Sequence, residues 1–366
     1  MLLRLLGRTP GSASTPSAKS VAELNLAAKP MLSDSPRPVT RFAPDMPTLP
    51  LVAGGGPRIS FVVVVYDMPE QAGRTLYSLS LEYQRGVRTE DYEVIVVEND
   101  SENSLGAEAA TAYSGNYRYF LRTEQTHSPV PALNFGAKHA KASHVAYMID
   151  GARLLSPGVI NYMLAGIGLA THVAVSVPGY HLGYKIQQEA MLEGYDQAAE
   201  ARLMASIDWP VDGYRLFEIA CLAGTSRDGF FKPVGESNCF CLPRIVIEQL
   251  GGFDERFDET GGGLVNLDFY KRAVELDDIT LVTLLGEGSF HQFHGGATTG
   301  TKGVERRDAL EAHLALYSAL RGGPFEPPER RSVYLGTFPD SALGFIRHSA
   351  EQVIELNGLD RPINEP

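Results

Sequence analysis

Two short stretches of the sequence carry side chains that could hold a metal ion or a phosphate. Asp150 and Arg153 lie in Ile149-Asp-Gly-Ala-Arg, directly after a run of apolar residues. His291 and His294 lie in a later segment that is rich in glycine and threonine. A carboxylate suits a hard cation, imidazole binds divalent transition metals, and a guanidinium pairs with phosphate oxygens. A capped turn and ordinary hydrogen-bonded loop histidines are the alternative interpretation.

The spacing of the two histidines bears on how many of them bind a metal. Side chains three residues apart in an extended segment point to opposite faces, so we expect one ligand from His291 and His294 rather than two. A zinc hydrolase would need a third ligand and a base at metal spacing, as in His-Glu-x-x-His. The sequence contains no such motif.

A second acidic pair follows another apolar run. Glu98 and Asp100 lie in Glu-Asn-Asp-Ser directly after Val97. Carboxylates at the end of a buried strand can accept hydrogen bonds from a ribose or a base. A solvated turn rich in aspartate and asparagine explains the same residues without a ligand.

Secondary-structure elements must bring these groups together, and the sequence predicts alternating strands and helices. Runs of β-branched residues are typical of strands buried on both faces of a parallel sheet. The predicted strands are 59–66, 92–97, 117–121, 144–149, 173–177, 237–242 and 279–285. A helix-start signal at Asp67-Met-Pro-Glu70 with helical spacing on to Tyr83 predicts the first helix. The predicted later helices are 131–141, 156–170, 244–250, 266–276, 308–320 and 341–356. This alternation predicts an α/β fold whose ligand site lies beyond the carboxyl ends of the strands.

Charge and glycine placement exclude two classes of protein. Lysine and arginine number 32 against 44 aspartates and glutamates, which gives a net charge of −12 and argues against a nucleic-acid binder. A phosphorylated ligand would therefore need a metal ion, a helix N-terminus or a local basic group. No glycine-rich turn follows the first strand, which disfavours a dinucleotide-binding oxidoreductase.

The sequence also bears on the compartment. Three cysteines in a chain of 366 residues form no disulfide framework and fit a reducing environment. No apolar run is long enough for a transmembrane segment. We expect a cytoplasmic protein, with peripheral membrane association through the apolar first residues as the alternative.

Taken in order, five segments resemble the family 2 glycosyltransferases. They are residues 61–66, 92–101, 133–140, 146–152 and 251–257. The resemblance implies a GT-A fold, which is a Rossmann-like, mostly parallel central sheet flanked by helices, here followed by a helical C-terminal extension. It also implies a nucleotide-sugar donor and a divalent metal, Mn²⁺ or Mg²⁺.

The resemblance implies roles for individual residues. Asp150 takes the family's metal-binding place, and His291 or His294 falls where related enzymes have a late ligand for the ion or the diphosphate. The nucleotide-sugar contacts that we predict are Tyr66, Asp67, Glu98, Asp100, Asn134, Gly136, Asp150 and Arg153.

Two departures from the family pattern concern the chemistry directly. Ala152 replaces the second metal-binding aspartate, and Asn266 stands where the family has its general base. An amide cannot take a proton from an acceptor hydroxyl at a useful pKa. We predict Asp268 as the replacement base, with Glu259 and His291 as further candidates. The other possibilities are an acceptor that is already nucleophilic and a chain that has lost transfer activity.

The function that follows is a metal-assisted, inverting glycosyltransferase. We expect a UDP-linked donor and a glycan, lipid or protein acceptor that the sequence does not specify. A catalytically inactive protein that binds a sugar nucleotide or a glycan on the same fold is the alternative. A nucleotidyltransferase is disfavoured, since no basic, glycine-rich loop follows the first strand.

The predicted domain organisation has three parts. Residues 1–56 are rich in proline and serine and predict a disordered tail, because such a segment buries too little apolar surface to offset its ordering entropy. Residues 57–303 form the GT-A domain, and residues 304–366 form the helical extension. The oligomeric state is left open.

Overall fold

The structure is a computed structural model that describes residues 56–124, 126–294 and 303–358. Almost all of the predicted tail, residues 1–56, lies outside the described residues. No helix in the described ranges has both the length and the apolar character needed to cross a membrane.

Twelve strands occur in the described part of the chain, and eight of them form one central sheet. The central strands are β1 (Ile59–Val65), β2 (Tyr92–Asn99), β3 (Tyr117–Arg122), β4 (His144–Met148), β6 (Val173–Ser176), β9 (Cys239–Pro243), β10 (Thr280–Leu285) and β12 (Val333–Gly336). Their order across the sheet is β12-β10-β6-β9-β4-β1-β2-β3. The sheet is parallel except at β9, which pairs antiparallel with both β4 and β6.

The middle of this sheet is the core of the protein. β1 pairs in parallel with β2 on one side and with β4 on the other, and every residue of β1 and β2 is buried. The continuous β-branched runs place apolar side chains on both faces, and each face is covered by its own apolar cluster. The predicted fold class, a mostly parallel sheet flanked by helices, is confirmed.

A smaller sheet of four strands was not predicted from the sequence. It consists of β5 (Arg153–Leu155), β7 (Gly179–Leu182), β8 (Ala220–Leu222) and β11 (Ser289–His291), in the order β5-β11-β7-β8. Each of these strands has only three or four residues. Such short runs give too weak a periodic signal to be recognised.

Helices cover the sheet and form most of the C-terminal part. The α-helices are α1 (Pro69–Ser78), α2 (Gly106–Ala110), α3 (Val130–His139), α4 (Val159–Gly166), α5 (Gln187–Ala190), α6 (Gln197–Ala205), α7 (Arg244–Leu250), α8 (Val265–Val274), α9 (Gly303–Arg321) and α10 (Leu343–Asn357). Short 3₁₀ helices span Met191–Glu193, Gly213–Ile219, Gly224–Ser226, Thr260–Gly262 and Asp340–Ala342.

The C-terminal part is helical, as predicted, but it also contributes a strand to the central sheet. Between α9 and α10 lies β12, which pairs in parallel with β10 at the edge of the sheet. β12 was not predicted, because its apolar run, Val333-Tyr334-Leu335, has only three residues and is partly exposed. The boundary proposed at residue 303 stays a prediction.

Candidate functional site

The loop after β4 lies against the end of β1 and against α1. Thr75 on α1 donates its hydroxyl to the Gly151 carbonyl at 2.7 Å and accepts from the Arg153 amide at 2.9 Å. A Cβ on Gly151 would lie 3.0 Å from the Val64 carbonyl oxygen, so the backbone approaches β1 closely here. These contacts fix Asp150 and Arg153 at the carboxyl edge of the parallel strands.

The register of the smaller sheet places His291 beside the same loop. β11 lies between β5 and β7, and His291 is opposite Arg153 on one side and His181 on the other. The unpredicted sheet therefore brings together residues that are more than 100 positions apart in sequence.

Helix α1 also holds the chain that follows β11. Gln71 donates its side-chain amide to the Phe293 carbonyl at 2.9 Å, and Gln292 donates to the Gln71 carbonyl at 3.1 Å. Arg74 donates to the Gln292 side-chain oxygen at 3.3 Å. The segment from His291 to His294 is thereby tied to the helix that also carries Thr75.

Asp150, His291 and His294 form a cluster that could hold a metal ion. The Nε2 atoms of the two histidines lie 3.1 Å apart, and His291 Nε2 lies 4.0 Å from Asp150 Oδ2. One ligand atom from each residue falls within 4.8 Å of the others. The expectation that the two rings point to opposite faces is wrong, because β11 ends at His291 and strand geometry does not extend to His294.

A glutamine fixes the orientation of the His291 ring. Gln187 donates its Nε2 to the His291 carbonyl at 3.1 Å, which leaves its Oε1 facing His291 Nδ1 at 2.6 Å. We therefore assign the proton of His291 to Nδ1 and the lone pair to Nε2, towards Asp150 and His294. A hydrogen bond of this kind orients many metal-binding histidines.

Burial keeps these imidazoles neutral. It lowers the pKa of His291 well below its ordinary value, and the nearby Arg153 charge lowers it further. Burial also lowers the pKa of His294 and takes the pKa of His181 to about 3. Since neutral imidazole is the form that binds metal, the cluster is ready to accept a cation at neutral pH.

Asp150 is shared between the cluster and Arg153. Its Oδ2 accepts from Arg153 Nε at 3.0 Å, and its Oδ1 accepts from the Ala152 amide at 3.1 Å. Arg153 is buried, so its guanidinium is a concentrated positive charge beside the cluster. Ala152 is fully buried and adds no carboxylate.

The donor set fits a divalent transition ion. Two imidazole nitrogens and one carboxylate suit Mn²⁺ better than Mg²⁺, which prefers oxygen ligands. Nitrogen ligands about 2.1 Å from an ion at right angles to each other lie roughly 3 Å apart, close to the separation of the two Nε2 atoms. Asp150 would have to move closer to His291 for all three groups to bind the same ion.

The loop after β1 has the strained backbone that is common at ligand sites. Asp67 is the one non-glycine residue among those described with a positive φ, at 53°. Its amide bonds to Ser101 Oγ at 3.2 Å, and its carboxylate accepts from Asn103 at 2.7 Å. Tyr66 and Asp100 are exposed on either side of this contact. Their predicted contacts with a nucleotide stay predictions.

Glu98 has a structural role instead of the predicted nucleotide contact. Its side chain is fully buried. Oε1 accepts from the Leu105 amide at 2.6 Å, and Oε2 accepts from the Gly106 amide at 3.0 Å and the Tyr119 hydroxyl at 2.7 Å. Both oxygens are therefore used to fix the N-terminus of α2 against the sheet.

Asn134 and Gly136 also make structural contacts that the prediction did not anticipate. Asn134 accepts from the Phe253 amide and donates to the Phe253 carbonyl, both at 2.9 Å. A Cβ on Gly136 would lie 2.3 Å from Val62 Cγ1, so glycine is needed for α3 to pack on β1. Their predicted contacts with a nucleotide stay predictions.

Asp268 is not placed to act as a general base. It is 1% exposed, and Oδ1 accepts from Arg321 at 2.5 Å. Oδ2 accepts from Arg272 at 2.9 Å and from a second nitrogen of Arg321 at 2.8 Å. The prediction failed because it did not anticipate Arg321, which reaches α8 from the end of α9.

Glu236 is a group that the sequence analysis missed. Its Oε2 accepts from the Asn266 side chain at 2.5 Å. Burial raises the pKa of Glu236, while Arg153 and the amides of Asn266 and Asn238 lower it. Only the antiparallel pairing of β9 with β4 identifies it, because this pairing leads the residues before β9 along the loop that carries Asp150.

Comparison with known families gives a direct match for one part of the chain. Residues 60–185 match the family model described as Glycosyl transferase family 2. The resemblance to the family 2 glycosyltransferases is thereby confirmed. The matched segment contains Asp67, Asp150 and Arg153 but ends before His291. No curated protein sequence matches the chain.

Solved structures give weaker likenesses over more of the chain. TarS residues 1–349 from S. aureus are 9% identical, with coverage of 83% of this chain and 73% of that one and a TM-score of 0.45. The same protein in complex with UDP-GlcNAc is 11% identical, with coverage of 84% and 77% and a TM-score of 0.44. The mannosyltransferase PcManGT from Pyrobaculum calidifontis, in complex with GDP-Man and Mn²⁺, is 17% identical, with coverage of 81% and 70% and a TM-score of 0.43.

Proposed function

We propose that this protein is a glycosyltransferase that moves a sugar from a nucleoside diphosphate to an acceptor with inversion at the anomeric carbon. The observation that carries the proposal is the cluster of Asp150, His291 and His294 beside Arg153. It lies at the carboxyl edge of a parallel sheet, and Asp150 and Arg153 fall within residues 60–185, which match the family model.

The residues of the site have complementary roles in this proposal. Asp150, His291 and His294 would hold a divalent ion, Mn²⁺ in preference to Mg²⁺, which would neutralise charge on the leaving diphosphate. Arg153 would add a fixed positive charge towards the same oxygens. Tyr66, Asp67 and Asp100 would line the nucleoside side, for which we propose uridine.

The arrangement explains how a protein with a net charge of −12 could bind a diphosphate. A bound cation and one buried guanidinium would supply the local positive charge that the surface as a whole lacks. Because Asp150 also neutralises Arg153, loading the metal would loosen that ion pair and leave the guanidinium freer to face phosphate.

The first experiment measures binding of UDP, UDP-GlcNAc and GDP-mannose with and without Mn²⁺. We expect Mn²⁺ to strengthen binding of at least one of them in the wild-type protein. Asp150→Asn should reduce that enhancement at least tenfold, since a ligand of the ion is lost. The readout is the ratio of affinities with and without Mn²⁺, because the variant also frees Arg153 for metal-independent binding.

The matched control for this experiment is Asp208→Asn, which removes an exposed aspartate outside the site. It should leave the Mn²⁺ enhancement unchanged. An Asp150→Asn variant that folds normally and retains the full enhancement would exclude the proposed metal site.

A catalytically inactive protein that binds a sugar nucleotide is the second candidate. The observations that favour it are Ala152 in place of an acid, Asn266 in place of the family's base, and Asp268 held between two arginines. Release of UDP or GDP from the same donors in the presence of Mn²⁺ separates the two functions. Tight binding without turnover of any donor or acceptor would favour the binding protein.

A further inference from the structure

We propose that Glu236 is the general base of this glycosyltransferase and takes over the role that Asn266 cannot perform. The inference rests on the proposed function, since it assigns a catalytic residue to that reaction. Three features support it: the position of Glu236 beside the Asp150 loop, its contact with Asn266, and its electrostatic surroundings.

The position follows from the one antiparallel strand in the described central sheet. β9 runs against β4, with Met148 opposite Cys239, and the Ile149 amide donates to the Asn238 carbonyl at 3.3 Å. The chain just before β9 therefore passes along the loop that carries Asp150. Glu236 lies two residues before Asn238 and is only partly buried.

Asn266 holds this carboxylate in place. Its Nδ2 donates to Glu236 Oε2 at 2.5 Å and to Asn238 Oδ1 at 2.9 Å. Asn266 is buried, and its own Oδ1 has no hydrogen-bond partner. Since only the amide nitrogen can donate, the buried side chain is used to position an acid on the neighbouring segment.

This contact also accounts for the missing aspartate of the family pattern. A carboxylate at position 266 would lie about 2.5 Å from that of Glu236, and two such groups do not ionise together. Asparagine at position 266 and glutamate at position 236 are therefore a compatible pair. In this chain the acid lies on the segment that leads into β9 and the amide lies at the start of α8.

The surroundings of Glu236 suit proton transfer. Burial raises the pKa of its carboxyl group, Asp150 acts in the same direction, and Arg153, Asn266 and Asn238 oppose them. A carboxylate with a raised pKa accepts a proton more readily than an exposed one.

The reaction balances without any further reagent. The acceptor O–H bond breaks, its proton passes to a carboxylate oxygen of Glu236, and the freed electron pair forms the bond to the anomeric carbon. The bond between that carbon and the phosphate oxygen breaks, and its electron pair leaves with the nucleoside diphosphate.

The test compares two acceptors, water and azide, with UDP-GlcNAc and GDP-mannose as donors and Mn²⁺ present. Water must lose a proton when it attacks, whereas the azide anion has none to lose. We expect Glu236→Gln to reduce water-dependent release of nucleoside diphosphate by about 10²–10⁴-fold. Formation of the glycosyl azide should persist at a rate within a few-fold of the wild type. Affinity for UDP with Mn²⁺ should stay the same.

Two further variants complete the design. Glu248→Gln removes an exposed glutamate on α7 and should leave both reactions unchanged. Glu236→Asp keeps the acid on a shorter side chain and should retain more water-dependent turnover than Glu236→Gln, which keeps the test decisive if the glutamine variant does not fold.

The possible failures are distinguishable. Wild-type protein that neither binds nor turns over any donor would overturn the proposed function and this inference with it. Wild-type turnover that survives in folded Glu236→Gln would overturn only the assignment of the base. Equal loss of the water and azide reactions, or loss of UDP binding, would assign Glu236 to binding or to structure instead.

Discussion

Single hydrogen bonds decide what each polar side chain of the site can do. His291 carries its lone pair towards the cluster because Gln187 occupies its other ring nitrogen. Glu98 is an acid at the end of a strand, as predicted, but its two oxygens are used by backbone amides and a tyrosine. Residue type therefore identified the candidates, and their partners determined which of them are available.

Asp268 provides the clearest test at the scale of single residues. We expect Asp268→Asn to lower the free energy of unfolding by about 2–3 kcal/mol, because it leaves two partly buried guanidiniums without a full counter-charge. Donor turnover should stay within about twofold of the wild type, since the group does not contact the site. Urea denaturation and release of nucleoside diphosphate measure the two effects.

The control for Asp268 is Glu248→Gln, which weakens an exposed pair with Arg244. That change should cost less than about 0.5 kcal/mol. Loss of turnover in Asp268→Asn without loss of stability would restore Asp268 as the catalytic base.

At the scale of elements, α1 and the smaller sheet build the site. α1 bonds to the loop of Asp150 through Thr75 and to the segment after β11 through Gln71. β11 sets His291 between Arg153 and His181. Neither arrangement is visible in the periodicity of the sequence, because it depends on strands of three or four residues that pair over long distances.

The contact between α3 and β1 is a test of element packing. We expect Gly136→Ala to lower the free energy of unfolding by about 1–2 kcal/mol, although alanine favours helices, because its Cβ would overlap Val62. Adding Val62→Ala should recover part of the loss. Chemical denaturation of the two single variants and the double variant measures this coupling.

Gly344→Ala on α10 is the matched control, since nothing lies within 4 Å of a Cβ at that position. It should be neutral or slightly stabilising. Gly136→Ala should also leave affinity for UDP with Mn²⁺ unchanged. Selective loss of that affinity would restore Gly136 as a nucleotide contact.

At the scale of the whole molecule, burial sets the protonation of a carboxylate that is not part of the site. Glu287 is fully buried and accepts from the Ser156 hydroxyl at 2.5 Å, the Tyr214 hydroxyl at 2.7 Å and the Gly158 amide at 3.1 Å. Burial raises its pKa from 4.5 to about 7. The folded protein therefore binds a proton at Glu287 that the unfolded chain releases near its lower pKa.

The sign of the resulting pH dependence follows from that difference. Between pH 4.5 and about 7 the folded state holds more protons, so the Glu287 contribution to stability falls as the pH rises. The slope is at most about 1.4 kcal/mol per pH unit. We expect the stability of the wild type relative to Glu287→Gln to fall across this window and to level off above it.

Denaturation of both proteins from pH 4 to pH 8 measures the prediction, with Glu248→Gln as the control for loss of a surface carboxylate. A constant difference between wild type and Glu287→Gln across the range would contradict the raised pKa.

The sequence by itself determined the parallel sheet and the candidate metal-binding groups. Its long β-branched runs can be buried only between two helical layers, and its motifs place a carboxylate, Asp150, after one strand and two imidazoles, His291 and His294, after another. Local periodicity was sufficient because these elements extend over many residues.

Only the tertiary structure decided which of these groups belong to one site. It placed both histidines together, gave Glu98, Gly136 and Asp268 structural contacts, and placed Glu236 beside Asn266. The physical reason is that hydrogen-bond partners and close packing join residues distant in sequence. Such contacts leave no period in the sequence, and so they become visible only when the chain is folded.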